Sequence, residues 1–119
     1  MKKKTILIVD DSVVRCLLKD TLEGNYHILE ASTCQEVVEQ LKNHIDLALI
    51  EFILPDAYGS EVLNEIRKVN KEMPVIFMGH ISKNLTIKAL GNKVVDYIQK
   101  PFQIATLKKK VAEMIGEKV

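Results

Sequence analysis

Asp46-Leu47-Ala48-Leu49-Ile50-Glu51 is the stretch whose reading decides the fold. Four consecutive apolar residues stand between two acids, and Pro55 follows four positions after Glu51. A strand with one wet face alternates apolar and polar side chains, whereas an unbroken apolar run predicts burial on both faces, as in a parallel sheet covered by helices on each side. Glu51 then marks the carboxyl end of that strand.

Reading outward, the same pattern recurs along the whole chain. Ile6-Leu7-Ile8-Val9, Tyr26-His27-Ile28-Leu29, Val75-Ile76-Phe77-Met78, and Val94-Val95 with Tyr97-Ile98 are further strand candidates. Between them, helical spacing sets apolar stripes: Val13, Val14, Leu17, Leu18, Thr21 and Leu22; Val62, Leu63, Ile66 and Val69; Ile104, Leu107, Val111, Met114 and Ile115. Val37, Val38 and Leu41 mark a shorter helix behind Ser32 and Thr33 as candidate caps, with Glu36 three residues after Thr33. A weaker pattern of Leu85, Ile87 and Leu90 predicts a helix over about residues 83–90. Gly24, Gly59, Pro74 and Gly91-Asn92 punctuate the boundaries. Regular βα alternation predicts right-handed crossovers and a doubly wound five-stranded parallel sheet.

A chain of 119 residues fits one domain, spanning 1–119, with a single region of organised packing. Seventeen Lys+Arg against 16 Asp+Glu leave a formal charge of +1, too little for a global field that gathers nucleic acid or anionic membrane. Cys16 and Cys34 lack the spacing and companions of a zinc site and read as free thiols. The apolar stretch behind Lys2-Lys3-Lys4 is too short for a signal-peptide core, and no run approaches the roughly 20 apolar residues that span a bilayer. The expected compartment is cytoplasmic.

In doubly wound sheets ligands bind beyond the carboxyl ends of the strands, near the point where strand order reverses. Asp10, Asp11, Glu51, Gly79 and Lys100 all fall at such ends. Converging carboxylates repel one another unless a cation or proton intervenes, and a hard divalent ion such as Mg²⁺ is the oxygen-loving choice. Lys100 could place a point charge opposite a bound anion. The plainer alternative is that Asp10 and Asp11 cap the helix beginning near Ser12 while Lys100 balances them as a structural ion pair.

Taken together, these residues resemble the receiver domain of two-component response regulators over nearly the whole chain. The resemblance rests on Ile6-Leu7-Ile8-Val9-Asp10-Asp11-Ser12, on Asp46 to Glu51 followed by Pro55 and Gly59, on Pro74-Val75-Ile76, and on Asp96-Tyr97-Ile98-Gln99-Lys100-Pro101-Phe102. It implies a flavodoxin-like sheet of order 2-1-3-4-5. It also implies that the residue at Glu51 accepts a phosphoryl group from a phosphohistidine, with Mg²⁺ held by Asp10, Asp11 and Glu51, and that Lys100 contacts the phosphoryl oxygens. A hydroxyl at the position of Gly79 would bond the acyl phosphate, and an aromatic at Tyr97 would turn inward.

The sequence departs from that pattern at one corner. The family carries aspartate where Glu51 stands; the extra methylene moves the carboxylate on the order of 1 Å, and a misplacement of that size can cost about a hundredfold in rate. Gly79 has no donor to couple a phosphoryl oxygen to loop movement. His80 adds bulk where the family has a small residue, or is simply a solvated loop side chain. The segment between Gly79 and Lys100 is about one residue short, and Lys93 replaces an expected glycine, so the helix there is expected to be irregular.

The leading expectation is a receiver-like, non-enzymatic regulatory domain acting through protein contacts with little or no phosphorylation and weak or absent Mg²⁺ binding. Its expected partners are a histidine kinase or phosphotransfer protein, a downstream effector, or a second copy of itself. The alternative is a working receiver that takes phosphate at Glu51 with Mg²⁺. A flavin carrier of the same topology would need an anion-cradling loop where Asp10-Asp11-Ser12-Val13 stands. Lys108-Lys109-Lys110 reads as a solvated helix face rather than a nucleic-acid contact.

Overall fold

The structure is a computed structural model that describes residues 3–82, 84 and 95–116. Five strands, β1 (Thr5–Val9), β2 (His27–Ala31), β3 (Leu47–Glu51), β4 (Val75–Gly79) and β5 (Val95–Gln99), form one sheet of order β2-β1-β3-β4-β5. Every pairing is parallel. The expected fold class and strand order are therefore those observed. The helices among the described residues are α1 (Ser12–Leu22), α2 (Cys34–Gln40), α3 (Gly59–Val69) and α4 (Ile104–Ile115). Of the helix expected over about residues 83–90 only Asn84, which is helical, is among the described residues, and the short segment containing Lys93 lies outside them.

Alternate side chains of each strand point to opposite faces. Leu7, Val9, Ala48, Ile50, Val75, Phe77 and Tyr97 pack with Val37 of α2, with Leu41 just after it and with Val62, Leu63 and Ile66 of α3. Ile6, Ile8, Leu47, Leu49, Ile76, Met78 and Ile98 pack with Leu18 and Leu22 of α1 and Leu107 and Val111 of α4. Burial on both faces is what the unbroken apolar run of β3 demanded. A strand covered on one side only would leave half of those side chains in water, at a cost of about 1.5–3 kcal/mol each.

Four residues of the apolar helix patterns do not reach the core. Val13, Leu17, Val38 and Val69 are exposed, because α1 turns Leu18 and Leu22 inward, α2 turns Val37 inward and α3 turns Val62, Leu63 and Ile66 inward. Each outlier sits at the margin of its stripe, where helical spacing alone does not separate a buried position from a rim position. Gly59 is also more than punctuation. It is the first residue of α3, and a Cβ there would come within 2.3 Å of the Phe52 ring, so only glycine lets that ring lie against the helix start.

The caps hold the strand-to-helix turns in place. Thr33 Oγ1 accepts the Glu36 N–H at 3.1 Å, while the Glu36 carboxylate accepts from the Ser32 N–H at 2.7 Å and the Ser32 hydroxyl at 2.6 Å. Of the two candidate caps, Thr33 is the N-cap, and Ser32 instead donates to Glu36. Asp56, in the turn after β3, adds a long-range cap: its two oxygens accept the Cys34 and Gln35 N–H groups at 2.8 and 3.1 Å. Both cysteines are free thiols. Burial, then the Asp56 charge, pushes the Cys34 thiol up.

Candidate functional site

The turn after β1 carries two adjacent acids that do different work. Asp11 is the N-cap of α1, its Oδ1 accepting the Val13 and Val14 N–H groups at 3.0 Å each. Asp10 is buried, with only 3% of its surface exposed; its Oδ1 accepts the Asp11 N–H at 2.7 Å, and its Oδ2 takes a bond from the Lys100 ammonium at 2.7 Å. The capping alternative therefore describes Asp11 and not Asp10.

Lys100 follows β5 and reaches back across the rim. Its Nζ donates to Asp10 Oδ2 and to Glu51 Oε1, the latter at 2.8 Å, and its own N–H donates to the Gly79 carbonyl at 2.7 Å. These partners lie 90, 49 and 21 residues away along the chain, brought together because parallel strands present all their carboxyl ends on one side. The Lys100 and Glu51 side chains are 12% and 18% exposed. Burial by itself would lower the Lys100 pKa, but the bonds to Asp10 and Glu51 outweigh it and hold the ammonium above its ordinary range.

Beside this ion pair lies an open cleft of about 550 Å³ lined by Asp10, Asp11, Ser32, Glu51, Ile53, Leu54 and Pro55. A larger hollow, about 820 Å³, opens between α2 and α3 around Cys34, Asp56 and Arg67. The smaller one holds the expected site residues; in the larger, the Asp56 carboxylate is committed to the start of α2.

The structure thus brings Asp10, Glu51 and Lys100 into contact, with Asp11 at the mouth of the same cleft. The expected metal ligands Asp10, Asp11 and Glu51 line one cleft, with Asp10 and Glu51 bonded to the Lys100 ammonium and Asp11 Oδ1 engaged at the start of α1. Among the described residues no three His, Cys, Asp or Glu side chains are grouped to hold a metal ion. Tyr97 is 1% exposed and turned into the core, its ring meeting Phe52 edge to face at a centroid distance of 6.4 Å. Gly79 ends β4 opposite Gln99, and His80 lies just beyond it, exposed to solvent.

Two contributors escaped the sequence reading. Phe52, directly after Glu51, packs at 5.5 Å from Phe77 as well as against Tyr97. Arg15 on α1 donates to the Asp10 carbonyl at 3.2 Å and pairs with Glu30 of β2 at 3.4 Å, tying the acidic turn to the sheet edge. The only signal for Arg15 was its place one turn after Asp11, and many solvated arginines share that.

Residues 6–112 match the family model described as the response regulator receiver domain. The chain belongs to that family. Among curated relatives, this receiver domain is 34% identical over 112 residues to the two-component response regulator-like APRR7 of Arabidopsis thaliana, covering 88% of this chain and 15% of that protein. It is 31% identical over 115 residues to the transcriptional regulatory protein ZraR of Escherichia coli K12, covering 90% of this chain and 26% of that protein. The chain therefore spans about a quarter or less of these relatives. Among solved structures, a two-component response regulator from Clostridium difficile superposes with a TM-score of 0.84 at 31% identity, covering 95% of this chain and 96% of the other. A CheY-like receiver domain from Methanospirillum hungatei JF-1 gives 0.84 at 29% identity, covering 96% and 94%. No helix among the described residues is long and apolar enough to cross a membrane.

Proposed function

We propose that this receiver domain regulates two-component signalling through protein contacts, with little or no phosphorylation at Glu51, weak or absent Mg²⁺ binding and no catalytic turnover of its own. One observation carries the reading. The Lys100 ammonium is already shared between Asp10 and Glu51 at 2.7 and 2.8 Å, while Asp11 caps α1, so the charges that would greet an incoming phosphoryl group are engaged with one another. Glu51 then acts as a standing carboxylate at the phosphoacceptor position, a partial mimic with less charge and fewer acceptor oxygens than phosphate. The partners proposed are a histidine kinase or phosphotransfer protein on the input side and an effector protein or second copy on the output side, in the cytoplasm, with no direct contact to nucleic acid or membrane.

A second reading, phosphoryl acceptance at Glu51, is favoured by the open cleft beside that side chain. A Glu51 oxygen would form the bond to phosphorus as the bond to the donor's leaving group breaks. Incubation with Mg²⁺ and a small acyl-phosphate donor, or with a phosphohistidine kinase, followed by intact-mass measurement separates the two. The first reading expects unchanged mass; a stoichiometric adduct mapped to Glu51 establishes the second.

A further inference from the structure

Gly79 ends β4 at a point where three other side chains converge. An ideal Cβ built on it would lie 2.8 Å from the Tyr97 hydroxyl oxygen, 3.0 Å from Glu51 Oε2 and 3.5 Å from Phe52 Cβ. The first is closer than packed interiors tolerate and the second is tight, so a side chain at 79 must displace the tyrosine and press on the carboxylate. Neither gives way easily. Glu51 is anchored through its other oxygen, Oε1, to Lys100. Tyr97 is buried against Phe52, and the Phe52 ring is backed by Phe77 and by the bare backbone of Gly59. The longer side chain at 51 and the missing one at 79 are therefore complementary: the carboxylate that extends by one methylene occupies room that a residue-79 side chain would fill.

We infer that Gly79 is a positioning residue, whose absent side chain leaves one volume bordered by both the Glu51 carboxylate and the Tyr97 hydroxyl, so that the two are coupled through the room they share. A hydroxyl on residue 79 is not needed to link the two. Whatever alters the Glu51 carboxylate changes the room available to the Tyr97 ring, and the ring passes that change through Phe52 to the start of α3. The inference goes beyond the proposed function and holds whether or not Glu51 takes phosphate.

The test is a double-substitution cycle in the 119-residue chain, using Gly79→Ala, Glu51→Asp and the pair, read by ring resonances of ¹³C-labelled tyrosine and by thermal melting. Tyr97→Phe assigns the Tyr97 signal among the three tyrosines. Gly79→Ala is expected to move the Tyr97 resonance and lower the melting midpoint by roughly 5 °C or more, and Glu51→Asp in the same chain is expected to recover at least half of both changes. If Gly79→Ala does not fold, Glu51→Asp alone decides, because vacating one occupant must shift the Tyr97 resonance. An unmoved Tyr97 signal in the single variants, or strictly additive effects in the pair, overturns the inference. Neither outcome depends on a mass adduct at Glu51, so this result and the phosphorylation result are independent.

Discussion

The carboxyl-end rim holds two neighbouring groups of residues that are kept together by different forces. Asp10, Glu51 and Lys100 are joined by charge, at N–O distances of 2.7 and 2.8 Å. Gly79, Phe52, Phe77 and Tyr97 are joined by shape, through edge-to-face rings and a glycine that leaves room for them. Glu51 belongs to both, one oxygen on Lys100 and the other beside Gly79. The difference teaches that one side chain serves both: the charge of Glu51 belongs to the first group and its length to the second, beside the glycine at 79.

The largest effect that can break this comparison is expected at the packed group. Phe77→Ala, at a fully buried position, should cost about 3–5 kcal/mol in urea unfolding. Because shape and not charge is lost, the cost should be equal at pH 7 and pH 9; a pH-dependent loss would show that the two groups are not separable. Next comes the charged group. Lys100→Met leaves the buried Asp10 carboxylate facing Glu51 without its cation, and should cost about 3 kcal/mol at pH 7, with Asp10→Asn in the same chain recovering much of it. A loss under about 1 kcal/mol would place this pair with ordinary surface ion pairs.

Asp11→Ala sharpens the division between the adjacent acids. Its loss should be about 1 kcal/mol, the usual worth of an N-cap, and should not alter the alkaline titration of Lys100 followed by ¹⁵N-labelled lysine NMR. The smallest effect concerns pH. The Lys100 pKa is raised in the folded protein, so its stabilising contribution is fully present below the unfolded lysine value of about 10.4 and is lost as pH rises through the folded value. The stability gap between the parent chain and Lys100→Met should therefore hold at neutral pH and narrow in strongly alkaline solution. A gap that narrows between pH 8 and pH 6 would have the wrong sign.

Much of the fold was legible because parallel strands write themselves locally. The runs at Ile6, Leu47 and Val75 each became a strand buried on both faces, and Thr33 with Glu36 formed the cap their spacing predicted. The misreadings share a cause. Val13, Leu17 and Val69 have the right period yet face solvent, since period fixes a helix face but not how deeply the face sinks. Asp56 caps α2 from 22 residues away, and Phe52 lies against Gly59 across a turn; no local pattern records either contact. In the candidate site, the residue types and their strand-end positions were readable, whereas the division of labour between Asp10 and Asp11 was not.

By itself the sequence determined the alternation of elements, the family and the set of charged residues carried to one rim, because apolar periodicity and strand-end position are properties of neighbours along the chain. Only the tertiary structure decided that one ammonium spans two carboxylates, that Asp11 caps α1, and that Glu51 and Tyr97 both lie beside Gly79. Those outcomes turn on separations of an ångström or less between residues dozens of positions apart, and such separations are set by how the two packed faces close around the sheet.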